Sequence, residues 1–181
     1  MLNWIVIGVG DITRKRVIPA IQAECRSRLY GIVTRDPAKA SPYDTGVWTS
    51  LEEAISDGAV QAVYVASPVF LHAPQTIQSL RAGKHVLCEK PMAMNVAEAQ
   101  TMLRAAEESG KSLGVAYYRR AYPKVQRAKQ LLEAGTIGKP VLAELTSHSG
   151  STDAVLGNGC WIQRNREVGH SMTSDPIALT C

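Results

Sequence analysis

A lysine between an acid and a proline is the residue of this chain best suited to catalysis. Glu89, Lys90 and Pro91 follow directly on a short apolar run, residues 85–88. An ammonium group at the end of a buried strand can polarise a carbonyl or stabilise an alkoxide during hydride transfer, and a lysine can also give or take the proton. The spacing alone equally allows a surface salt bridge between Glu89 and Lys90.

A glycine-rich turn near the start of the chain is suited to hold phosphate. Residues 2–7 are an apolar run of the kind found in buried parallel strands, and Gly-Val-Gly-Asp-Ile-Thr follows at residues 8–13. Backbone amides in such a turn can approach a pyrophosphate at the N-terminus of the next helix. The candidate cofactor-binding residues here are Gly8, Gly10, Asp11 and Ile12. Thr13 replaces the third glycine of the fingerprint, which should loosen the packing of helix on strand. A plain tight turn is the alternative.

The second apolar run, residues 29–33, ends in side chains that could select the cofactor. In the dinucleotide fingerprint an acidic residue about 20 residues past the turn holds the ribose hydroxyls, and a nearby arginine accommodates the phosphate of NADP. Here Thr34 and Arg35 precede Asp36. Arg35 could pair bidentately with a phosphate and Thr34 could donate its hydroxyl, which favours NADP over NAD. A solvated loop in which Asp36 starts a helix is the alternative.

The strand predicted at residues 62–66 places further residues on the same edge of the sheet. Ligands of open parallel sheets bind beyond the carboxyl ends of the strands, so Ala66, Ser67 and Pro68 are candidate cofactor-binding residues. His72 marks the start of the next helix, and Pro74 suits its first turn. His72 is a further cofactor-binding candidate, although a lone histidine at a helix start is more often a cap or a surface residue.

The elements that must position these residues are six strands that alternate with helices. The predicted strands are residues 2–7, 29–33, 47–48, 62–66, 85–88 and 112–116. This alternation predicts an α/β fold, a Rossmann-type doubly wound parallel sheet with right-handed crossovers. Two capping boxes predict helix starts, at Ser50 with Glu53 and at Asn95 with Glu98. Helical spacing predicts one buried face on each of three helices. The helix after the first turn would bury Val17, Ile18, Ile21 and Cys25, and the helix after Ser50 would bury Leu51, Ala54 and Ile55. The helix after Asn95 would bury Val96, Ala99, Leu103 and Ala106.

Composition excludes several classes of protein. Of the 181 residues 45% are hydrophobic and 20% charged, which is typical of a globular protein, and a net charge of +4 with scattered basic residues does not require nucleic acid. The early apolar run is too short for a secretory leader, and no run reaches the length of a membrane span. Four cysteines without C-x-x-C spacing predict free thiols and no metal site, so a cytoplasmic location is expected.

Several stretches together resemble the Gfo/Idh/MocA oxidoreductase family, which includes glucose-fructose oxidoreductase and inositol dehydrogenase. The matching stretches are residues 8–12, 66–72, 82–91 and 116–123, of which 82–91 is the most specific. The resemblance implies an NAD(P)-binding Rossmann domain at 1–120 and a partial substrate domain at 121–181. It also implies that Lys90 is the catalytic lysine, that Glu89 and Lys90 line the cofactor, and that the substrate is a sugar, a polyol or a related hydroxy or carbonyl compound. Tyr118 and Arg119 match the substrate side, near the link formed with Tyr117 and Tyr122, and a homo-oligomer is possible.

The resemblance weakens after residue 146. We expect an amphipathic helix from Pro123 to Gly135 and a strand at 141–146, followed by a loosely held tail. Family members are roughly twice as long and carry D-x-G-x-H after a tryptophan like Trp161; that motif is absent here, and the order of His170 and Asp175 does not supply it. The substrate domain is therefore expected to be truncated. The alternative to an oxidoreductase is a non-catalytic nucleotide-binding remnant or a redox-sensing module.

Overall fold

The computed structural model describes residues 1–144, and a six-stranded sheet organises most of them. The strands are β1 Leu2–Ile7, β2 Ser27–Val33, β3 Gly46–Trp48, β4 Ala62–Val65, β5 His85–Cys88 and β6 Leu113–Val115. They are all parallel and lie in the order β3-β2-β1-β4-β5-β6. This is the strand order of a Rossmann fold, in which the order reverses beside the first strand. The predicted fold class is confirmed.

Helical segments connect the strands, as the crossovers of a parallel sheet require. A helical segment begins at residue 11, is π-helical over Thr13–Val17 and continues as α1, Ile18–Ala23. The others are α2 Leu51–Ser56, α3 His72–Arg81, α4 Val96–Ser109 and α5 Pro123–Glu133, with short 3-10 helices at Pro37–Ala40, Val69–Leu71 and Tyr118–Ala121. None of the helices formed by residues 1–144 is long and apolar enough to cross a membrane.

The two faces of the sheet bury different cores. One face packs side chains such as Ile5, Val63 and Val65 against α2, α3 and α4, where Leu80 and Met102 are fully buried. The opposite face packs Val6, Ile32 and Tyr64 against α1, chiefly against Ile18 and Ile21. Strand residues alternate between the faces, so both sides of each central strand are apolar, as parallel sheets require. Burial of each such large aliphatic side chain stabilises the fold by about 1.5–3 kcal/mol relative to leaving it exposed.

Both predicted helix caps are present. The Ser50 hydroxyl accepts a hydrogen bond from the Glu53 amide at 3.5 Å. The Asn95 side chain accepts one from the Glu98 amide at 2.9 Å, while the Glu98 carboxylate accepts from the amide of Met94 at 3.0 Å. These bonds satisfy amides that have no acceptor inside the helix, which is why α2 and α4 begin where the sequence indicated.

Two predicted buried faces are partly wrong. In α4, Val96 and Leu103 are 72% and 51% exposed, whereas Met102 and Ala105 are buried. The helix packs on α3 through a side that includes Met102, Ala105 and the predicted Ala106. Cys25 is exposed and lies outside α1. The helix ends at Ala23 because Glu24 takes an extended backbone conformation, with φ −83° and ψ 114°.

The predicted strand at residues 141–146 is not formed over 141–144. These four residues have no strand pairing, and Val141 and Leu142 are 95% and 85% exposed. A strand needs a neighbour to accept its hydrogen bonds. The predicted helix before it is confirmed as α5, with Gly135 at φ +66° shortly after its end. Residues 145 and 146, the predicted tail, Trp161, His170 and Asp175 lie outside the described residues.

We predict that Gly8→Ala destabilises the fold. A Cβ built at Gly8 would lie 2.8 Å from the Ala66 carbonyl oxygen, and φ is +88°, so the substitution should lower the free energy of unfolding by about 1–3 kcal/mol. Urea unfolding of the full chain measures this. Gly58→Ala is the control, because its Cβ would meet nothing within 4 Å. Equal stability of the two variants would contradict the close approach of β1 to β4.

Candidate functional site

A row of backbone hydrogen bonds joins the carboxyl ends of the strands. The first residue after each of five strands donates its amide to the last carbonyl of the neighbouring strand, at 2.8–3.0 Å. We call the five donor residues the carboxyl rim. The amide of Gly8 donates to the carbonyl of Val33, that of Thr34 to Trp48, that of Ala66 to Ile7, that of Glu89 to Val65, and that of Ala116 to Cys88. The rim therefore brings the candidate residues after β1, β2, β4 and β5 to one edge of the sheet.

The glycine-rich turn leaves room for a phosphate group above the start of the first helical segment. A Cβ at Gly10 would meet no atom within 4 Å, and the first amides of a helix have no acceptor in the helix itself. Asp11 and Ile12 open this segment and are exposed. The Asp11 carboxylate pairs with Arg14 at 2.7 Å and with Lys15 at 2.9 Å, and hydrogen bonds from Lys15 and then Arg14 lower its pKa. The turn thus fits a dinucleotide pyrophosphate.

Thr13 occupies the position of the third glycine of the fingerprint, and its side chain is buried there. It is fully buried, and its hydroxyl donates to the Gly10 carbonyl at 2.8 Å. The helical segment is π-helical from this residue to Val17. The wider π-helical turns and the satisfied hydroxyl let a larger side chain stand where a glycine usually permits close packing.

Arg35 is the charged side chain most available at the end of β2. Thr34 is buried, and its hydroxyl is engaged locally with the backbone of Asp36 at 3.2 Å. The Asp36 carboxylate caps the following 3-10 helix by accepting from the Ala38 amide at 3.2 Å. Arg35 is exposed and has no ion-pair partner within residues 1–144. The Asp36 carboxylate, 54% exposed, thus has the Ala38 amide and the Lys39 ammonium at 4.0 Å as partners, whereas Arg35 has no ion-pair partner in this part of the chain.

His72 is neither a cap nor a surface residue. It is 1% exposed, and its ring nitrogens face two backbone carbonyls: Nδ1 lies 2.8 Å from the Pro91 oxygen and Nε2 lies 2.9 Å from the Ser67 oxygen. The Ser67 hydroxyl donates to Gln75 at 2.6 Å. His72 thereby joins the loop after β4, which contains Ala66, Ser67 and Pro68, to the loop after β5.

Glu89 does not pair with Lys90. Its carboxylate is buried and accepts a hydrogen bond from the Tyr64 hydroxyl at 2.7 Å and one from the Lys90 amide at 3.1 Å. Burial and then the Glu89 contact raise the pKa of Tyr64 above its ordinary value, so Tyr64 is a permanent donor. The salt-bridge alternative for Glu89 and Lys90 is wrong. Tyr64 was missed from the sequence, although a hydroxyl within an otherwise apolar strand was a usable signal.

The Lys90 side chain borders a cavity with other cations. Lys90 is exposed and forms no ion pair within the described part of the chain. The cavity has a volume of about 320 Å³ and is lined by Lys90, Ala116, Tyr117, Tyr118, Arg119 and Arg120. The substrate-side candidates Tyr118 and Arg119 are therefore brought together with Lys90, and Arg120 joins them. A cavity with three cations suits oxygen-rich or anionic groups.

Two other features near the rim have no evident chemistry. Cys88 is fully buried, and desolvation raises the pKa of its thiol to about 11, so it is not a nucleophile. A larger cavity of about 560 Å³ lies on the α1 face of the sheet, lined mostly by apolar groups such as Trp4, Ile21, Leu87 and Val115. Two acids line it, and both have partners: Glu24 pairs with Arg26 at 2.9 Å, and Glu89 accepts a hydrogen bond from Tyr64.

The part of the chain that carries the carboxyl rim matches a known protein family. Residues 2–117 match the family described as an oxidoreductase family with an NAD-binding Rossmann fold. The chain belongs to the Gfo/Idh/MocA oxidoreductase family. The matched segment begins with β1 and ends just after β6, so it covers all six strands and the carboxyl rim.

Relatives in this family include enzymes named for sugars. The chain is 39% identical over 149 residues to a 1,5-anhydro-D-fructose reductase of Ensifer adhaerens, covering 80% of this chain and 45% of the relative. It is 32% identical over 164 residues to a D-xylose 1-dehydrogenase [NADP(+)] of Haloarcula marismortui, covering 86% and 44%. The chain thus spans less than half the length of these relatives.

Solved structures of the family superpose on the same region. The 3-ketoreductase KijD10 of Actinomadura kijaniata, solved with NADP, shows 30% identity and a TM-score of 0.70, with 76% of this chain and 45% of that chain covered. The WlbA dehydrogenase of Bordetella pertussis, solved with NADH and UDP-GlcNAcA, shows 27% identity and a TM-score of 0.71, covering 76% and 41%. Both neighbours were solved with a nicotinamide dinucleotide.

We predict that Gly10→Ala weakens binding of NADPH and leaves stability unchanged. The new methyl group would fill the open space above the turn, so the dissociation constant should rise about tenfold or more, equivalent to ~1.4 kcal/mol. Nicotinamide fluorescence measures binding and urea unfolding measures stability. Gly58→Ala should bind like the wild type. If Gly10→Ala bound NADPH with wild-type affinity, the pyrophosphate would not lie above this turn.

Proposed function

We propose that the chain is the cofactor half of an NADP-dependent oxidoreductase that moves hydride between the nicotinamide and a sugar, a polyol or a related hydroxy or carbonyl compound. The observation that carries the proposal is the carboxyl rim, because its hydrogen bonds bring the glycine turn, Arg35 and Lys90 to one edge of the sheet. The names of the relatives support sugars as the substrate class.

The cofactor would lie along the rim. The turn residues Gly8, Gly10, Asp11 and Ile12 would hold the pyrophosphate, since the open space above Gly10 and the first helix amides suit an anion. Ala66, Ser67 and Pro68 would contact the dinucleotide where the strand order reverses, and Glu89 and Lys90 would border its nicotinamide end. We assign His72 a different role from direct contact, because both ring nitrogens already face carbonyls.

NADP is preferred over NAD in this proposal. Arg35 is exposed without an ion-pair partner among the described residues, whereas Asp36 caps a helix. A guanidinium can bind the additional phosphate of NADP bidentately. The Asp36 carboxylate, which could otherwise bind ribose hydroxyls and repel that phosphate, is engaged by the Ala38 amide and lies 4.0 Å from the Lys39 ammonium.

Lys90 would serve as the proton donor or acceptor. The bound dinucleotide would supply or accept hydride. During reduction of a ketone, the Lys90 ammonium would polarise the carbonyl and give its proton to the forming alkoxide; during oxidation the neutral amine would take the hydroxyl proton. Tyr118 and Arg119 border the same cavity as Lys90 and would orient the substrate.

Activity of the whole protein is part of the proposal. Residues 1–120 would form the Rossmann domain and 121–181 a partial substrate domain, with a small-molecule substrate, a cytoplasmic location and a possible homo-oligomer. The competing function is a non-catalytic nucleotide-binding or redox-sensing module. Binding of NADPH by the full chain without turnover on a panel of sugars and polyols would favour that module, and failure to bind NADPH or NADH would contradict both.

We predict that Arg35→Gln reduces the preference for NADPH. Loss of a charge-assisted bond to the phosphate should raise the dissociation constant of NADPH about tenfold or more and change that of NADH by less than about twofold. Fluorescence titrations measure both. Arg28→Gln is the matched control, because Arg28 lies near the other end of the same strand, β2. Equal losses for both cofactors would remove Arg35 from phosphate recognition.

We predict that Lys90→Met abolishes turnover while NADPH still binds. Removing the ammonium should lower the rate of sugar oxidation or reduction at least about 100-fold, with the dissociation constant of NADPH changed less than about threefold. Lys111→Met, a lysine just before β6 at the opposite edge of the sheet, is the control. Turnover retained in Lys90→Met would assign proton transfer to another residue.

A further inference from the structure

Lys90 lies between two peptide groups that buried side chains hold in place. The preceding residue, Glu89, is anchored by Tyr64, and the following residue, Pro91, is anchored by His72. The Lys90 side chain itself is exposed and has no ion pair within residues 1–144. No ion pair or side-chain hydrogen bond within these residues holds its ammonium, so the backbone on either side contributes to its direction.

The Tyr64 anchor reaches Lys90 through one carboxylate. The Tyr64 hydroxyl donates to Oε1 of Glu89 at 2.7 Å, and Oε2 accepts the Lys90 amide at 3.1 Å. Tyr64 and Glu89 are only 6% and 7% exposed. A buried carboxylate is costly unless its oxygens are satisfied, so this orientation of Glu89 is strongly favoured. Because Tyr64 stands on the central strand β4, the Lys90 amide is tied to the rigid sheet.

The His72 anchor uses both nitrogens of one ring. Nδ1 lies 2.8 Å from the Pro91 oxygen and Nε2 lies 2.9 Å from the Ser67 oxygen. Carbonyl oxygens only accept hydrogen bonds, so a neutral ring with its single N–H satisfies one of them, and the imidazolium satisfies both. The ring thus places a nitrogen toward each of two carbonyls at a site that is 1% exposed.

We propose that Tyr64 and His72 are positioning residues, which hold the Lys90 backbone from both sides and so direct its ammonium into the cavity beside Arg119. That this position of the Lys90 ammonium serves proton transfer rests on the proposed function; the position itself does not. Tyr64 and His72 are predicted to act on the geometry of Lys90 and not on the affinity for the dinucleotide. This separates them from residues such as Gly10 and Arg35.

The first experiment compares Tyr64→Phe with Tyr30→Phe in the full chain. Both variants remove a tyrosine hydroxyl that donates to a carboxylate, since Tyr30 donates to Asp57 at 2.9 Å away from the rim. Lysines are labelled with ¹³C-methyl groups by reductive methylation, and the Lys90 resonance is identified by its loss in Lys90→Arg. Turnover with NADPH and the dissociation constant of NADPH are measured on unlabelled protein.

Tyr64→Phe is expected to shift and broaden the Lys90 methyl resonance and to lower kcat about tenfold, with the NADPH dissociation constant changed less than about twofold. Tyr30→Phe is expected to leave the Lys90 resonance and kcat unchanged. A Tyr64→Phe spectrum that matches the wild type at Lys90 would overturn the proposal. If the wild type binds no NADPH, the proposed function fails, and the Lys90 resonance still decides the positioning role.

The second experiment grades the His72 anchor. His72→Asn keeps a donor close to the place of Nδ1 and loses the contact to Ser67, whereas His72→Leu loses both. The displacement of the Lys90 resonance should therefore be larger in His72→Leu than in His72→Asn. His85→Asn is the control, because it removes a ring whose Nδ1 accepts a hydrogen bond from the Ser112 amide at 3.1 Å, at the amino end of β5 and away from the rim. Wild-type Lys90 resonances in both His72 variants would exclude the His72 anchor, and should His72→Leu not fold, His72→Asn alone decides.

Discussion

The row of hydrogen bonds that continues past the ends of the strands is the constraint on which the site depends. In a parallel sheet every strand exits at the same edge, so strand order decides which loops become neighbours and register decides how their first residues align. Here five rim amides are paired at 2.8–3.0 Å. The register places residues that are far apart in sequence, such as Gly8, Ala66 and Glu89, in one line. No side chain of the site needs to recognise another for this line to form.

Side chains then refine what the backbone arranges. Gly8 permits the close approach of β1 to the exit of β4, because any Cβ there would meet the Ala66 carbonyl. Behind the rim, the buried Tyr64 hydroxyl donates to Glu89, and the buried His72 ring lies between the Pro91 and Ser67 carbonyls, so both side chains connect exit loops to the sheet. In front of it, Arg35 and Lys90 keep their charges in solvent. This division suits a binding edge, since buried polar groups give rigidity and exposed ones remain available to ligands.

Much of this architecture was predictable from local sequence. The apolar runs located the six strands, and Ser50 and Asn95 marked two helix starts, because a strand exit or a cap depends on a few neighbouring residues. What failed depends on tertiary packing. The buried side of α4 is set by its contact with α3, so Leu103 faces solvent and Met102 does not. The roles of Tyr64 and His72 were missed because their partners, Glu89 and Pro91, are distant in sequence and become neighbours only through the parallel register.

The most direct test of the central claim is a ¹H–¹⁵N NMR titration of the full chain with NADPH. With a cofactor site at the carboxyl rim, the amides with the largest chemical-shift changes should belong to the turn at residues 8–13 and to the exits that contain Arg35, Ser67 and Lys90. The amino edge of the sheet near Arg28 and Lys111 should be unaffected. Shift changes centred on the amino edge, or confined to the larger cavity on the α1 face, would contradict a cofactor site at the carboxyl rim.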